Sequence, residues 1–181
     1  MLGLPFLVPR PEESHRIFGA FFLTFGALLV VEALAGGVWH RNRLRTMLWP
    51  VGVLFLGSGM FMVAVMDPDD RLVHATVGSL LMFAGYIEGR HRLYQLPRST
   101  ADLFIVPALL AAALEMGVIH ARGEDIVVAS HITLGLTGLV LASARIYQSF
   151  SPQSLARASG VALVVMLVGA QLLLHPGASA G

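Results

Sequence analysis

The chain has 181 residues, 56% of them hydrophobic and 13% charged, with a formal net charge of +1 and no cysteine. A soluble domain of this length carries about a quarter charged residues and under half apolar ones, so this chain has more apolar surface than one small core can bury. The balance excludes a disordered chain, thiolate or disulfide chemistry and, through the small net charge, a nucleic-acid binder; all twelve basic residues are Arg, which excludes lysine chemistry.

In chain order, Met1–Pro9 is too short and too poor in basic flanking residues for a signal peptide, and residues 1–14 are expected to lie uncleaved at the membrane interface. Six apolar stretches follow: Ile17–Trp39, Met47–Met66, Leu72–Glu88, Leu103–His120, Ile126–Tyr147 and Ala158–His175. Each has the length that crosses roughly 30 Å of hydrocarbon as a helix. Gly36-Gly37, Asp67-Pro68-Asp69, Pro97, Gly123 and Pro152 separate them. Continuous apolar runs, without the alternation of barrel strands, select helices. The expectation is one all-α domain over 1–181, an integral bundle of six transmembrane helices.

Arginines set its orientation. Arg41, Arg43, Arg45, Arg90, Arg92, Arg98, Arg145 and Arg157 flank one set of connections; Arg10, Arg16, Arg71 and Arg122 flank the other, among most of the acids. The first set is expected on the cytoplasmic side of a bacterial plasma membrane, with both termini outside. A two-helix unit also recurs. The odd-numbered spans open with His15-Arg-Ile-Phe-Gly19, His74-Ala-Thr-Val-Gly78 and His131-Ile-Thr-Leu-Gly135, and the fourth and sixth spans end in His120 and His175. Three repeated hairpins, each led by an odd-numbered span, would follow.

This topology puts His15, His74, His120, His131 and His175 near the outer surface, on five different helices. Taken singly, His15, His120 and His175 read as interfacial side chains. His131 lies about five residues into its span, roughly 8 Å deep at 1.5 Å per residue, and is expected to face the bundle interior. His74 is about one turn in. Two imidazoles on facing helices, each with glycine four residues later, suit the axial ligands of a b-type haem: Gly78 and Gly135 would leave room for a flat macrocycle, and Arg16, Arg71 and Arg122 would meet its propionates. The competing account of Gly19, Gly78 and Gly135 is close helix packing.

The run Glu12-Glu-Ser-His15-Arg16-Ile-Phe-Gly19 resembles the Glu-x-x-His-Arg signature of haem A synthases, and the pairing of His74 with His131 resembles the outer half of six-helix transmembrane cytochromes b. The resemblance implies haem held between histidines near the outer face. Haem A synthases have eight helices, and two-haem reductases carry a second His pair that the second span lacks, so at most one haem is implied.

Copper is the alternative. Met62 and Met66 stand at i, i+4, and thioethers with imidazoles suit Cu(I); His120, His131 and His175 would complete such a site. Packing is the ordinary role of such methionines. Intramembrane Glu115, five residues before His120, is expected to orient a ligand imidazole or to accept a proton. Glu32 and Glu88 are expected to pair with Arg45, Arg90 or Arg92. No His-Glu-x-x-His, glycine-rich nucleotide loop or complete Gly-x-Ser-Gly is present. Three functions stand open: electron transfer through haem b between a membrane quinol or redox protein and an outer acceptor, copper binding or transport, and a structural or assembly role. A path for a small solute is also compatible with six helices.

Overall fold

A computed structural model describes residues 11–66, 70–119, 125–150 and 155–174. The architecture is all-helical, with no strand among the described residues. Helix α1 spans Pro11–Ala35, α2 is the single turn Gly37–His40, and α3 spans Arg43–Met66. Helix α4 spans Arg71–Arg92, and α5 (Arg98–Leu114) runs directly into a π turn, Glu115–Ile119. Helices α6 (Asp125–Ser149) and α7 (Leu155–Leu173) follow.

Five of these helices are long and apolar enough to cross a membrane; α7 is a shorter apolar helix over Ser159–Leu173. Large apolar side chains such as Leu34, Phe55, Leu72, Leu103 and Leu163 remain exposed on their outer faces, as a lipid solvent requires. The first span departs from expectation at its end. It stops at Ala35 because Gly36 adopts φ +53°, a left-handed conformation that glycine takes without a Cβ clash. Trp39 therefore sits in α2, buried, and not in the span. At the other end Pro11–Ser14 already belong to α1, so helix extends into the segment expected at the interface; residues 1–10 lie outside the described residues.

Each helix packs against its neighbours in a closed order, α1, α3, α4, α5, α6, α7 and back to α1. The close pairs are α3 with α4, α5 with α6, and α7 with α1. The tight hairpins are thus offset by one helix from those read in the sequence, and the first and last helices zip the ring shut. Lipid offers no hydrophobic drive for helix association, so small residues that let backbones approach decide which pairs are tight. A Cβ on Gly19 would meet the Gly169 carbonyl oxygen at 2.8 Å, one on Gly78 the Gly57 oxygen at 2.8 Å, and one on Gly135 the Gly117 Cα at 2.6 Å. The three glycines that follow the histidines at i+4 are therefore the tight points of the three antiparallel pairs. Seven residues later the contact repeats: Gly26 lies against Ala162, Gly85 against Pro50 and Leu54, and Ala142 is fully buried.

Candidate functional site

At one end of the bundle stand His15, His74 and His131, on α1, α4 and α6. His131 is 4% exposed; His15 and His74 are half-buried. The π turn touches both α4 and α6. It carries Glu115, half-buried, and Gly117, whose close approach to Gly135 brings the turn beside the His131 backbone. A π turn widens a helix locally and often marks a functional position. Arg16 and Arg71 are exposed at this end; the Arg71 Nε donates to the Ala64 carbonyl at 3.3 Å. Of the alternative copper ligands, Met62 is 56% exposed and Met66 half-buried, so the pair does not share the interior with His131. His120, His175 and Arg122 lie outside the described residues. No group of three His, Asp or Glu suited to a metal ion occurs among the described residues.

The opposite end holds a chain of alternating charges. Arg98 Nε donates to Asp102 at 3.0 Å, and Arg145 Nε donates to the other Asp102 oxygen at 2.8 Å. The Arg145 NH2 reaches Glu88; Arg92 joins Glu88 and Glu32, each at 2.7 Å. Glu32 closes the series 3.7 Å from His40. Glu88, Asp102 and Arg145 are buried. Ser149 donates to Asp102, and Arg98 also donates to Gln148 at 3.2 Å. Three guanidinium groups and three carboxylates, from α1, α4, α5 and α6, thus compensate one another. A buried charge without such partners would cost several kcal/mol.

Only part of this network is legible in the sequence. Glu32 and Glu88 do pair with Arg92, but Arg45 is exposed and Arg90 instead donates to the Tyr86 hydroxyl at 2.7 Å. Arg98 and Arg145, counted as charges flanking connections, are helical and neutralised. Asp102 escaped notice because it sits one residue outside the apolar stretch that begins at Leu103. The available signals were Arg145 inside the stretch Ile126–Tyr147 and the i, i+4 pairs Arg98/Asp102 and Glu88/Arg92, which lie on one helix face each.

The two ends share a register. His74 precedes Glu88, and His131 precedes Arg145, by the same fourteen residues, about four turns and roughly 21 Å along the axis. Four turns of 3.6 residues return a side chain nearly to its starting face. Both helices run from the histidine end to the charged end, and their side chains Glu88 and Arg145 meet. The same faces of α4 and α6, at matching depth, therefore carry His74 and His131. Among the described residues no Cα of α4 lies within 8 Å of one in α6, so it is long side chains such as Glu88 and Arg145 that join the two helices.

In donor type alone, the imidazoles of His74 and His131, on two helices joined through Glu88 and Arg145, fit the ligands that a bis-histidine haem would need. The glycine room expected for a macrocycle does not: Gly78 and Gly135 are used against Gly57 and Gly117. No family model, curated protein or solved structure matches the chain.

Proposed function

We propose that this chain is a membrane-embedded electron-transfer protein that holds one haem b between His74 and His131, near the outer leaflet of a bacterial plasma membrane. In this reading α7 crosses the membrane with the other five helices, and both termini lie outside. The observation that supports it is the shared fourteen-residue register that puts His74 and His131 on the same faces as the bonded pair Glu88 and Arg145. A bound haem would supply one-electron redox chemistry between a membrane quinol or redox protein and an outer acceptor.

The chain's own residues would do the rest. His131, buried, and His74, half-buried, would present imidazole nitrogens to the iron. Glu115 on the π turn and His15 on α1 would orient an imidazole or take up a proton at the carboxylate or ring nitrogen. Exposed Arg16 would offer a guanidinium to a propionate. The ion-paired end would hold α4 and α6 at a fixed separation.

Purified protein tests this directly. A Soret band that shifts on reduction is the expected result. A colourless preparation carrying copper by elemental analysis would move the assignment to a copper protein, and a colourless, metal-free one would leave a structural role.

A further inference from the structure

The acids of the charged end are consumed inside the bundle. Glu32, Glu88 and Asp102 all face Arg92, Arg98 or Arg145. Arg41, between α2 and α3, and Arg43 and Arg45, in the first turn of α3, stand exposed, with no acidic partner among the described residues. This stretch is firmly tied down without using any of the three guanidinium groups. The Trp39 indole N–H, on a buried ring, donates to the Arg45 carbonyl at 3.1 Å. The Asn42 side-chain oxygen accepts the Leu44 N–H at 2.9 Å and the Arg45 N–H at 3.3 Å, capping α3. The Thr46 hydroxyl donates to the Asn42 carbonyl at 3.0 Å.

Apolar side chains interleave with these cations. Val38 is 61% exposed and Leu44 80%. A fixed turn that offers both guanidinium groups and apolar side chains at the end of apolar helices matches the layer where phosphates overlie acyl chains. Guanidinium groups pair with phosphate oxygens in bidentate fashion, and a backbone already ordered loses little entropy on binding.

We propose that the turn Arg41–Arg45 binds the phosphodiester headgroup of an anionic phospholipid. This rests on the helices lying in a bilayer and is independent of any haem. The test uses the full-length protein, released from nanodiscs of equimolar phosphatidylglycerol and phosphatidylcholine and weighed by native mass spectrometry. Phosphatidylglycerol should be retained over phosphatidylcholine by at least about fivefold. The preference should fall to near parity in R41Q/R43Q/R45Q and persist in R16Q/R71Q, which removes two exposed arginines from the other end; circular dichroism confirms that both variants fold. Enrichment that survives in the triple variant would overturn the proposal, as would equal loss in R16Q/R71Q. Inorganic phosphate that binds the lipid-free protein and displaces phosphatidylglycerol at constant ionic strength would assign the site to free phosphate and overturn the lipid.

Discussion

Arg92 on α4 donates through NH1 to the carbonyl oxygen of Thr46 on α3, 3.2 Å away. That carbonyl is available because the residue four positions on is Pro50, buried inside α3, which has no N–H to give it. In a membrane every backbone acceptor needs a donor, and here the donor is a side chain that also ties Glu32 to Glu88. The proline and the ion chain are one arrangement. Replacing Arg92 by Met removes the donor and strips Glu32 of its guanidinium, so R92M should lose about 3–5 kcal/mol of stability. Adding P50A restores an N–H for Thr46, and R92M/P50A should recover about 1 kcal/mol of that loss. Thermal unfolding in detergent, followed by circular dichroism, measures both; no recovery would show that the carbonyl is satisfied otherwise.

Arg145 stands between two carboxylates, whereas Glu88 stands between two arginines. Removing Arg145 alone leaves Glu88 with Arg92 and Asp102 with Arg98, each buried with one cation fewer. R145M should cost about 3 kcal/mol or more. In E88M/R145M every remaining charge has a partner: Arg92 with Glu32, Arg98 with Asp102. The double variant should be more stable than R145M. Strict additivity in the unfolding cycle would show that the groups do not act as one chain.

The glycines divide by what a methyl group would meet. A Cβ on Gly135 enters the Gly117 backbone, and on Gly78 the Gly57 oxygen; at Gly160, inside α7, it meets nothing within 4 Å. G135A and G78A should each destabilise by about 1–3 kcal/mol through overpacking against backbone. G160A should gain up to about 1 kcal/mol from helix propensity. Opposite signs in the melting temperature are the expected result. Loss at Gly160 comparable with that at Gly135 would show that helix pairing does not discriminate between them.

Much of this was legible in the chain itself, and the divide is physical. Apolar length and Gly/Pro punctuation are local, so helix existence could be read for each stretch, although Gly36 ended α1 before Trp39. Glycine at i+4 after His15, His74 and His131 marked real features, but a sequence cannot say whether the empty side of a glycine meets a cofactor or another helix. The pairing of α1 with α7 joins residues some 150 positions apart, such as Gly19 and Gly169, and no local pattern encodes it. Arg145 was misread for a related reason, and Asp102 passed over: a charge near a span end reads as interfacial until the partner on another helix is known.

Tyr94 occupies a position that normally falls to glycine. Its N–H bonds to the His91 carbonyl at 2.9 Å and that of Gln95 to the Arg90 carbonyl at 2.9 Å, the double bond pattern that ends a helix on a left-handed residue. Tyr94 has φ +60° and its side chain is 91% exposed, so little packing offsets the strain. Y94G should raise stability by about 1 kcal/mol. An unchanged or lowered melting temperature would mean that the ring is anchored outside the protein, for instance in the lipid interface.

If His74 and His131 ligate one iron, their substitutions must differ in kind from those of the other histidines. H74A and H131A should each abolish the reducible Soret band, and small imidazole added to H74A should restore part of it by standing in for the missing side chain. His40 and His91 belong to the charged end, where His91 Nδ1 lies 3.0 Å from the Leu96 carbonyl and His40 lies beside Glu32. H40A and H91A should keep the band, whatever they cost in stability. Absorbance per folded protein, normalised by circular dichroism, separates ligation from unfolding. A band that persists in both H74A and H131A would place the haem elsewhere and remove the role assigned to the shared register of α4 and α6.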